Sequence, residues 1–483
     1  MQFNSYVFIL LFLPVFVFSY FFLNRINKYW GKLLIIVSGI VFYIYAGIVS
    51  FVILSISAIV NLLVSLILSK VKKNRRLLLI ISIILNISLL LYYKYTNLAI
   101  STVNSLLGKS ISTKEIILPL GISFFSFQQI MYVVAVYRRE IKPVSVTDYL
   151  AYVFFFPNLI MGPLIEAKDL ISQLNDVSLK KFQWKNLASG IKLFSFGLFK
   201  KMLLADTFAR GVAWGFSNLN TATAGDLFLV MFFYTFEIYF DFSGYSDMAV
   251  GVSQMINITL PMNFDSPYKA LSIRDFWKRW HISLTSFLTK YLYFPLGGSK
   301  KGNIRTYFNI MIVFLVSGLW HGANWTFVLW GCLHGLLQVI ERFFSNRNDF
   351  QSNAGAKWLG TFLGVSILWL LFRAESIAQW IELLGKMFSF QNMGISDGLI
   401  KTFILPESAF IIKKLGLTEL NNTVRGFSML VFIISSFIIC LIPENNYRNR
   451  NKLGIGSMFI CAVAFVWAFL CLSSESVFVY FNF

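Results

Sequence analysis

The feature that most constrains this chain is a succession of apolar runs, each about as long as a bilayer is thick, separated by short blocks of lysine and arginine. The runs fall near residues 7–23, 33–48, 50–69, 77–93, 116–135, 187–205, 226–256, 306–341, 356–372, 426–442 and 454–472. A helix rises 1.5 Å per residue, so roughly 20 apolar residues cross the hydrocarbon core of a membrane. The 483 residues are 57% apolar and only 13% charged, a balance that a water-soluble globule does not carry. The sequence therefore predicts an all-α polytopic membrane protein. We read it as one transmembrane domain over residues 1–483, with N-terminal helices over 1–115, a core over 116–345 and C-terminal helices over 346–483. The first run lacks a small-residue cleavage site and reads as a retained span.

The net charge of +20 does not point to nucleic acid, because the cations stand between spans and not on one soluble face. They read as topology signals. Arg25, Lys28 and Lys32 follow the first run, and Lys70, Lys72, Lys73, Arg75 and Arg76 follow the third. With both blocks in the cytoplasm, the N-terminus lies outside. The polar stretch from Lys94 to Lys114 is then external, and Arg138, Arg139, Lys142, Arg342, Arg347, Arg448, Arg450 and Lys452 mark later cytosolic turns. A long mixed segment near 374–425, with amphipathic pieces such as Phe410–Leu417, is predicted outside and is a candidate docking surface for a partner.

The alternation breaks at residues 149–165, where Phe156-Pro157-Asn158-Leu159-Ile160-Met161-Gly162-Pro163 interrupts an apolar run. A re-entrant hairpin fits better than a span. An unsatisfied peptide group in lipid costs several kcal/mol, so broken backbone at that depth must be packed in protein or line a wet cavity. A cavity is expected nearby. The four cysteines, Cys332, Cys440, Cys461 and Cys471, are isolated in apolar runs; they read as small hydrophobes, not as a metal or disulfide framework.

Chemistry concentrates in residues 274–335. All three histidines, His281, His321 and His334, lie there with five of the twelve tryptophans. So does the basic run Arg274-Asp275-Phe276-Trp277-Lys278-Arg279-Trp280. Gly318-Leu319-Trp320-His321-Gly322-Ala323-Asn324-Trp325 is a polar break inside apolar sequence. Gly318 with Gly322, and Gly331 with Gly335, form G-x-x-x-G pairs that let another helix approach closely. On one straight helix His321 and His334 would stand about 20 Å and some 220° apart, so they share no substrate unless the chain turns between them. His321, beside Trp320, Asn324 and the break, has the makings of an oriented base; His334 reads as a satisfied core histidine. Upstream, Glu237 and Asp241 share a helical face at i,i+4. They either line a polar path or are buried acids neutralised by a neighbour such as Lys200 or Lys201, and intramembrane acids are functional suspects by default.

Taken in order, these segments resemble the membrane-bound O-acyltransferases, close to the alginate O-acetylation branch. The resemblance rests on Leu118–Gln129, Phe155–Pro163, Gly197–Lys201 with Asp206, Tyr239–Met248, Asp275–Leu284, Tyr291–Gly298, Gly318–Ala323 and the terminal Phe478–Phe483, and so runs through nearly the whole chain. It implies a multi-helix bundle with re-entrant or broken helices around a central cavity, in the bacterial cytoplasmic membrane. It also implies transfer of an acyl group, acetyl by default, from a cytosolic thioester to a hydroxyl reached from the outer face. The donor would be acetyl-coenzyme A or a phosphopantetheine-carried acyl group, with no bound cofactor and no metal. The acceptor would be an envelope polysaccharide, served by an extracytoplasmic acyltransferase-like partner.

Under this resemblance His321 matches the family's intramembrane histidine and His281 its cytosolic-side partner. Trp320, Asn324, Asp241 and Tyr245 would line the cavity. Arg274, Lys278 and Arg279 would hold donor phosphates, with Trp277 and Trp280 flanking the acyl arm, although plain positive-inside anchoring explains the same cations. In one place the sequence departs from the pattern. Thr289-Lys290 stands where the family usually has an Arg-Asp pair, which bears on donor identity. The competing class is a polytopic transporter or channel, whose broken helices and acids would line a conduction path; the sequence has no internal repeat of the kind transporters often carry.

Overall fold

The structure is a computed structural model and describes residues 1–142, 144–345, 353–403, 414, 421–473 and 478. Among these every regular element is helical. Nine helices among the described residues are long and apolar enough to cross a membrane. In chain order the principal helices begin with α1 (Phe8–Ile26), α2 (Lys28–Ala46), α3 (Ile48–Lys70) and α4 (Arg75–Leu107). The broken region follows as α5 (Ile122–Tyr137), α6 (Val146–Val153) and α7 (Phe156–Leu159), and then α8 (Trp184–Phe199) and α9 (Ala224–Met255). Two short helices, α10 (Ile273–Arg279) and α11 (Ile282–Leu288), precede the hairpin of α12 (Asn303–His321) and α13 (Trp325–Ser345). Last come α14 (Ala354–Arg373), α15 (Ile377–Met387), α16 (Asn421–Leu441) and α17 (Ile455–Leu470).

Two expectations change in detail. The helix that was to end before Lys94 runs on to Leu107 through a π turn at Leu91–Tyr95. The extra residue in that turn changes the face on which the following residues lie, and Lys94 is buried. The re-entrant reading of 149–165 is matched by two short helices, α6 and α7, joined at Phe154–Phe155. Pro157 in the first turn of α7 needs no donor there. Of the two settings that tolerate broken backbone at depth, this segment has protein packing: Phe156–Leu164 is buried throughout. Gln128 Nε2 donates to the Tyr152 carbonyl at 2.8 Å, and Tyr152 Oη to that of Ile165 at 3.3 Å. Arg347, most of Phe410–Leu417 and most of the terminal hexapeptide lie outside the described residues.

The chain divides into two compact units. The first comprises Met1–Leu198, Tyr245–Met262 and Asn446–Leu472. Its helices meet through small residues and amides. A β-carbon on Gly190 would lie 2.6 Å from the Gly251 carbonyl oxygen, and one on Gly251 would lie 2.7 Å from that of Gly190. Asn61 and Asn86 exchange amide hydrogen bonds of 2.8 and 3.2 Å between α3 and α4. Interhelical polar contacts of this kind give cohesion where lipid removes the hydrophobic driving force.

The second unit comprises Phe199–Gly244, Asn263–Asn445 and Ser473–Phe483. Its centre is the antiparallel pair α12 and α13. The two G-x-x-x-G stretches do what their spacing suggests: a β-carbon on Gly318 would sit 2.3 Å from the Phe327 carbonyl oxygen, and one on Gly331 2.3 Å from that of Phe314. The helices part at Gly322, whose extended backbone (φ −158°, ψ 151°) ends α12 at His321. Asn324 starts the return. Its Oδ1 accepts from Thr326 N at 3.2 Å, and its Nδ2 donates to the Glu375 carbonyl at 2.9 Å. The chain does turn between His321 and His334.

The glycine contacts yield an ordered stability series. Gly331→Ala drives a β-carbon into backbone and is expected to cost about 1–3 kcal/mol, as overpacking typically does. Gly335→Ala, whose nearest neighbour is the flexible Met311 Sδ at 2.9 Å, should cost less. Gly364→Ala on α14 meets nothing within 4 Å and should be neutral or slightly stabilising. Unfolding midpoints of the purified variants in one detergent check the order; equal midpoints for Gly331→Ala and Gly364→Ala would contradict it.

Candidate active site

Helix α10 begins at Ser272, whose Oγ accepts from Asp275 N at 3.0 Å, with Asp275 in its first turn and Lys278 and Arg279 in its last. Cap and charges suit the helix dipole. Arg274, Trp277 and Lys278 share one face at i, i+3 and i+4. On α13 the residues Trp330, His334, Gln338 and Arg342 recur every four positions and share another. Arg274, Trp277, Lys278, Gln338 and Arg342, with α11 and the middle of α12, line a cavity of about 340 Å³. Three cations therefore face one hollow. None of them has a carboxylate ion-pair partner among the described residues, and Arg342 Nε is buried without a hydrogen-bond partner. Thr285, Thr289 and Ser299 are also in the wall; the first two hydroxyls donate to the Trp280 and Thr285 carbonyls and Ser299 Oγ pairs with Tyr293 Oη, so the Thr285 and Thr289 oxygens offer the hollow only lone pairs.

Of the five residues expected at a donor site, Arg274, Lys278 and Trp277 line this cavity, and Arg279 and Trp280 do not. Arg279 turns back to Asp275 (Nε–Oδ1 3.0 Å) and to the Asp265 carbonyl (3.3 Å). Trp280 is fully buried against Trp369, with ring centroids 4.7 Å apart. Arg342 was read only as a topology mark; its register, eight residues beyond His334 on α13, is the signal that puts it on the cavity face. Thr289, at the departure from the family pattern, is in the cavity wall, and Lys290 Nζ lies 5.5 Å from the Tyr291 ring.

From this cavity an aromatic column runs along the hairpin. Trp277 Nε1 donates to His334 Nδ1 at 3.3 Å. The His334 ring lies 4.8 Å from Trp330, Trp330 lies 5.3 Å from His321, and His321 lies 5.1 Å from Phe372. His281 joins at 6.5 Å from His321, with Trp320 4.8 Å from His321 and 6.0 Å from His281. His321 and His334, which a straight helix would hold apart, thus belong with His281 to one buried cluster. Arg342 and Trp325 stand at opposite ends of α13, about 26 Å apart at 1.5 Å per residue. The stretch from Trp325 to His334, along which the cluster lies, is about half of that length.

Hydrogen bonds fix the tautomers of two of these rings. Asn263 Oδ1 accepts from Ser283 N at 3.3 Å and Ser283 Oγ at 2.9 Å, so it is the amide oxygen. His281 Nδ1, 3.1 Å from the same atom, must then be the protonated nitrogen. His281 Nε2 carries a lone pair, is buried and has no hydrogen-bond partner. Burial pushes the pKa of this ring down to about 3, so it is a neutral acceptor at physiological pH. The backbone of His281 is held at φ 45°, ψ 52°, a left-handed conformation that a β-carbon disfavours by about 1–2 kcal/mol. His334 is the mirror case. An indole N–H can only donate, so Nδ1 is the acceptor and Nε2 carries the proton. That N–H is buried without a partner, and His334 is only half the satisfied core histidine that the sequence suggested.

The remaining candidates serve other contacts. Asp241 is neutralised within the unit as the second reading of the carboxylate pair had it: Lys201 Nζ lies 2.7 Å from Asp241 Oδ1 and 2.9 Å from Asp206 Oδ1. Glu237 is buried, with Oε2 unpartnered. Asn324 caps α13 and ties it to residue 375. Tyr245 belongs to the first unit, where it stacks on Phe3 at 5.0 Å. Among the described residues no group of three metal-ligating side chains comes together, and none of the four cysteines is in a disulfide.

The family model of the membrane-bound O-acyltransferases matches residues 76–379, which include the cation-lined cavity and the three histidines. A Helicobacter pylori peptidoglycan O-acetyltransferase is 34% identical, covering 100% of this chain and 97% of its own. A probable alginate O-acetylase of Pseudomonas putida is 36% identical over 82% of each chain. A teichoic acid D-alanyltransferase of Streptococcus thermophilus is 26% identical over 54% of this chain and 68% of its own. The transporter alternative draws no support from these relatives. With the family model matching over half the sequence and a relative 34% identical along all of it, the chain belongs to the membrane-bound O-acyltransferase family: it is a multi-pass membrane protein and an O-acyltransferase.

Proposed function

We propose that this chain takes an acetyl group from a cytosolic thioester through the membrane toward hydroxyls of an extracytoplasmic polysaccharide, with catalysis carried by residues 116–345. The observation that carries this reading is the aromatic column between a hollow lined by three cations and the histidines at the far end of the hairpin. The positive-inside pattern supports an orientation in the bacterial cytoplasmic membrane with the N-terminus outside, the cavity open to the cytosol and the His321 end facing outward. Peptidoglycan is the acceptor favoured by similarity along the full length of the H. pylori relative; alginate-like polymers come next, through relatives that match 82% of the chain. The segment near 374–425 remains the docking candidate for a partner that completes the transfer.

The chemistry follows from the residues. Arg274, Lys278 and Arg342 hold the phosphates of coenzyme A or of a carrier-borne phosphopantetheine, and Trp277 guides the arm inward. His321, assisted by the neutral His281, takes the proton of the attacking hydroxyl as its oxygen adds to the thioester carbonyl. The carbon–sulfur bond then breaks, and the proton passes to the departing thiolate, leaving an ester and a thiol. A thioester is already activated, so a base and donors for the oxyanion suffice; base help of this kind contributes about 10²–10⁴-fold. The Nε2–H of His334 is a ready donor for a carbonyl oxygen, and a site with little water keeps the thioester from hydrolysis.

Two experiments test these roles in proteoliposomes given radiolabelled acetyl-coenzyme A. Arg274→Gln and Arg342→Gln should each raise the apparent donor KM by roughly 10–100-fold, the equivalent of about 1.5–3 kcal/mol for a hydrogen bond to a charged group. An unchanged KM in both would remove the cavity from donor binding. His334→Gln keeps an N–H near the Nε2 position and should retain more turnover than His334→Asn, which keeps only the Nδ1 side; the reverse order would contradict a donor role for His334.

A further inference from the structure

A second cavity, in the first unit, has no part in the chemistry above. It is a groove of about 730 Å³, within the roughly 300–1,000 Å³ of sites that hold a small molecule. Its walls come from α1, α8 and α17, with Phe18, Phe22, Phe182, Trp184 and Phe465 prominent among them. Several face outward: Phe18 is 75% exposed and Trp184 77%. The one charged residue in the wall is Arg25, in the last turn of α1. Arg25 makes no ion pair with any described residue. Three more exposed cations, Lys28, Lys181 and Lys185, flank the wall residues in sequence.

We infer that this groove binds one anionic phospholipid, an acyl chain lying in the aromatic trough and the phosphate meeting Arg25. A hollow of this size open to hydrocarbon is filled, because walls without partner atoms forfeit their dispersion contacts and no water is there to enter. The wall chemistry selects the occupant. Close packing of a partner helix needs small residues in the seam, whereas Ser195, whose hydroxyl is turned back to the Ile191 carbonyl, is the one small residue in this wall and most of the others are bulky. A flexible hydrocarbon chain needs only apolar surface. Trp184 beside two lysines has the composition of the membrane–water interface, the depth at which a lipid phosphate sits. A guanidinium is suited to phosphate by its fixed fork of donors.

The test uses full-length protein, delipidated in detergent and supplied with equal amounts of palmitoyl-oleoyl phosphatidylglycerol and the phosphatidylcholine with the same chains. Native mass spectrometry counts what is retained. Wild type should keep one phosphatidylglycerol with about fivefold preference, which is what roughly 1 kcal/mol per basic residue at an anionic surface amounts to. Arg25→Gln should lose the preference yet still retain lipid. Ile191→Trp, a substitution at a 42% exposed wall position, puts a bulky ring into the trough where the acyl chain lies and should lower retention of both lipids. Both variants change outward-facing residues, and unchanged wild-type unfolding midpoints confirm that they fold. Equal retention of the two lipids by wild type, or retention unaffected by Ile191→Trp, would overturn the inference, as would a co-purifying polypeptide in place of lipid.

Discussion

The close approach of α12 and α13 is the constraint on which the rest of the site depends. Glycine at 318 and 331 lets each backbone lie against a carbonyl of the other, and only at that separation do the side chains flanking the seam converge. Trp330 then reaches His321 on one side and His334 on the other. Spread by one β-carbon, the hairpin would open the column at its middle. In lipid there is no hydrophobic force to restore it, so packing geometry has to do that alone.

A second constraint is polar. Imidazole and indole nitrogens removed from water need partners, and the partners found here fix the proton positions of two rings in opposite senses. Asn263 makes His281 an acceptor, and Trp277 makes His334 a donor. One neutral acceptor and one neutral N–H donor in the buried ring cluster that holds His321 are of the two kinds that acyl transfer to a hydroxyl uses. The buried Lys201–Asp241 pair belongs to a different role. It satisfies charge that lipid would not tolerate, and it removes Asp241 from the set of groups free to take part in chemistry.

Much of this was legible in the sequence because the bilayer imposes simple rules. Apolar length gave most of the spans, although the helices near 116–135, 187–205 and 454–472 fall outside the nine long and apolar enough to cross among the described residues, and Phe156–Pro163 announced a break that is packed in protein. The two G-x-x-x-G stretches foretold the hairpin contact. What could not be read depends on side-chain direction. Arg279 and Arg342 are both cations beside apolar helices, yet one folds back on Asp275 and the other lines the cavity. Trp280 and Trp277 stand three residues apart, and only Trp277 faces the hollow. The extension of α4 past Lys94 is not legible because a lysine ordinarily marks the membrane boundary, whereas here its long stem is buried within a π turn. His334 looked satisfied because a sequence does not say which nitrogen meets which neighbour.

The proposed chemistry turns on His321 as a base at the end of this column. It is tested most directly by the alkali-labile O-acyl ester content of purified envelope polysaccharides, compared between wild type and His321→Ala at matched membrane levels of the protein. The account predicts that ester falls by about 100-fold or more and that the acid released from wild-type material is acetic acid. Ester content unchanged in His321→Ala would contradict it.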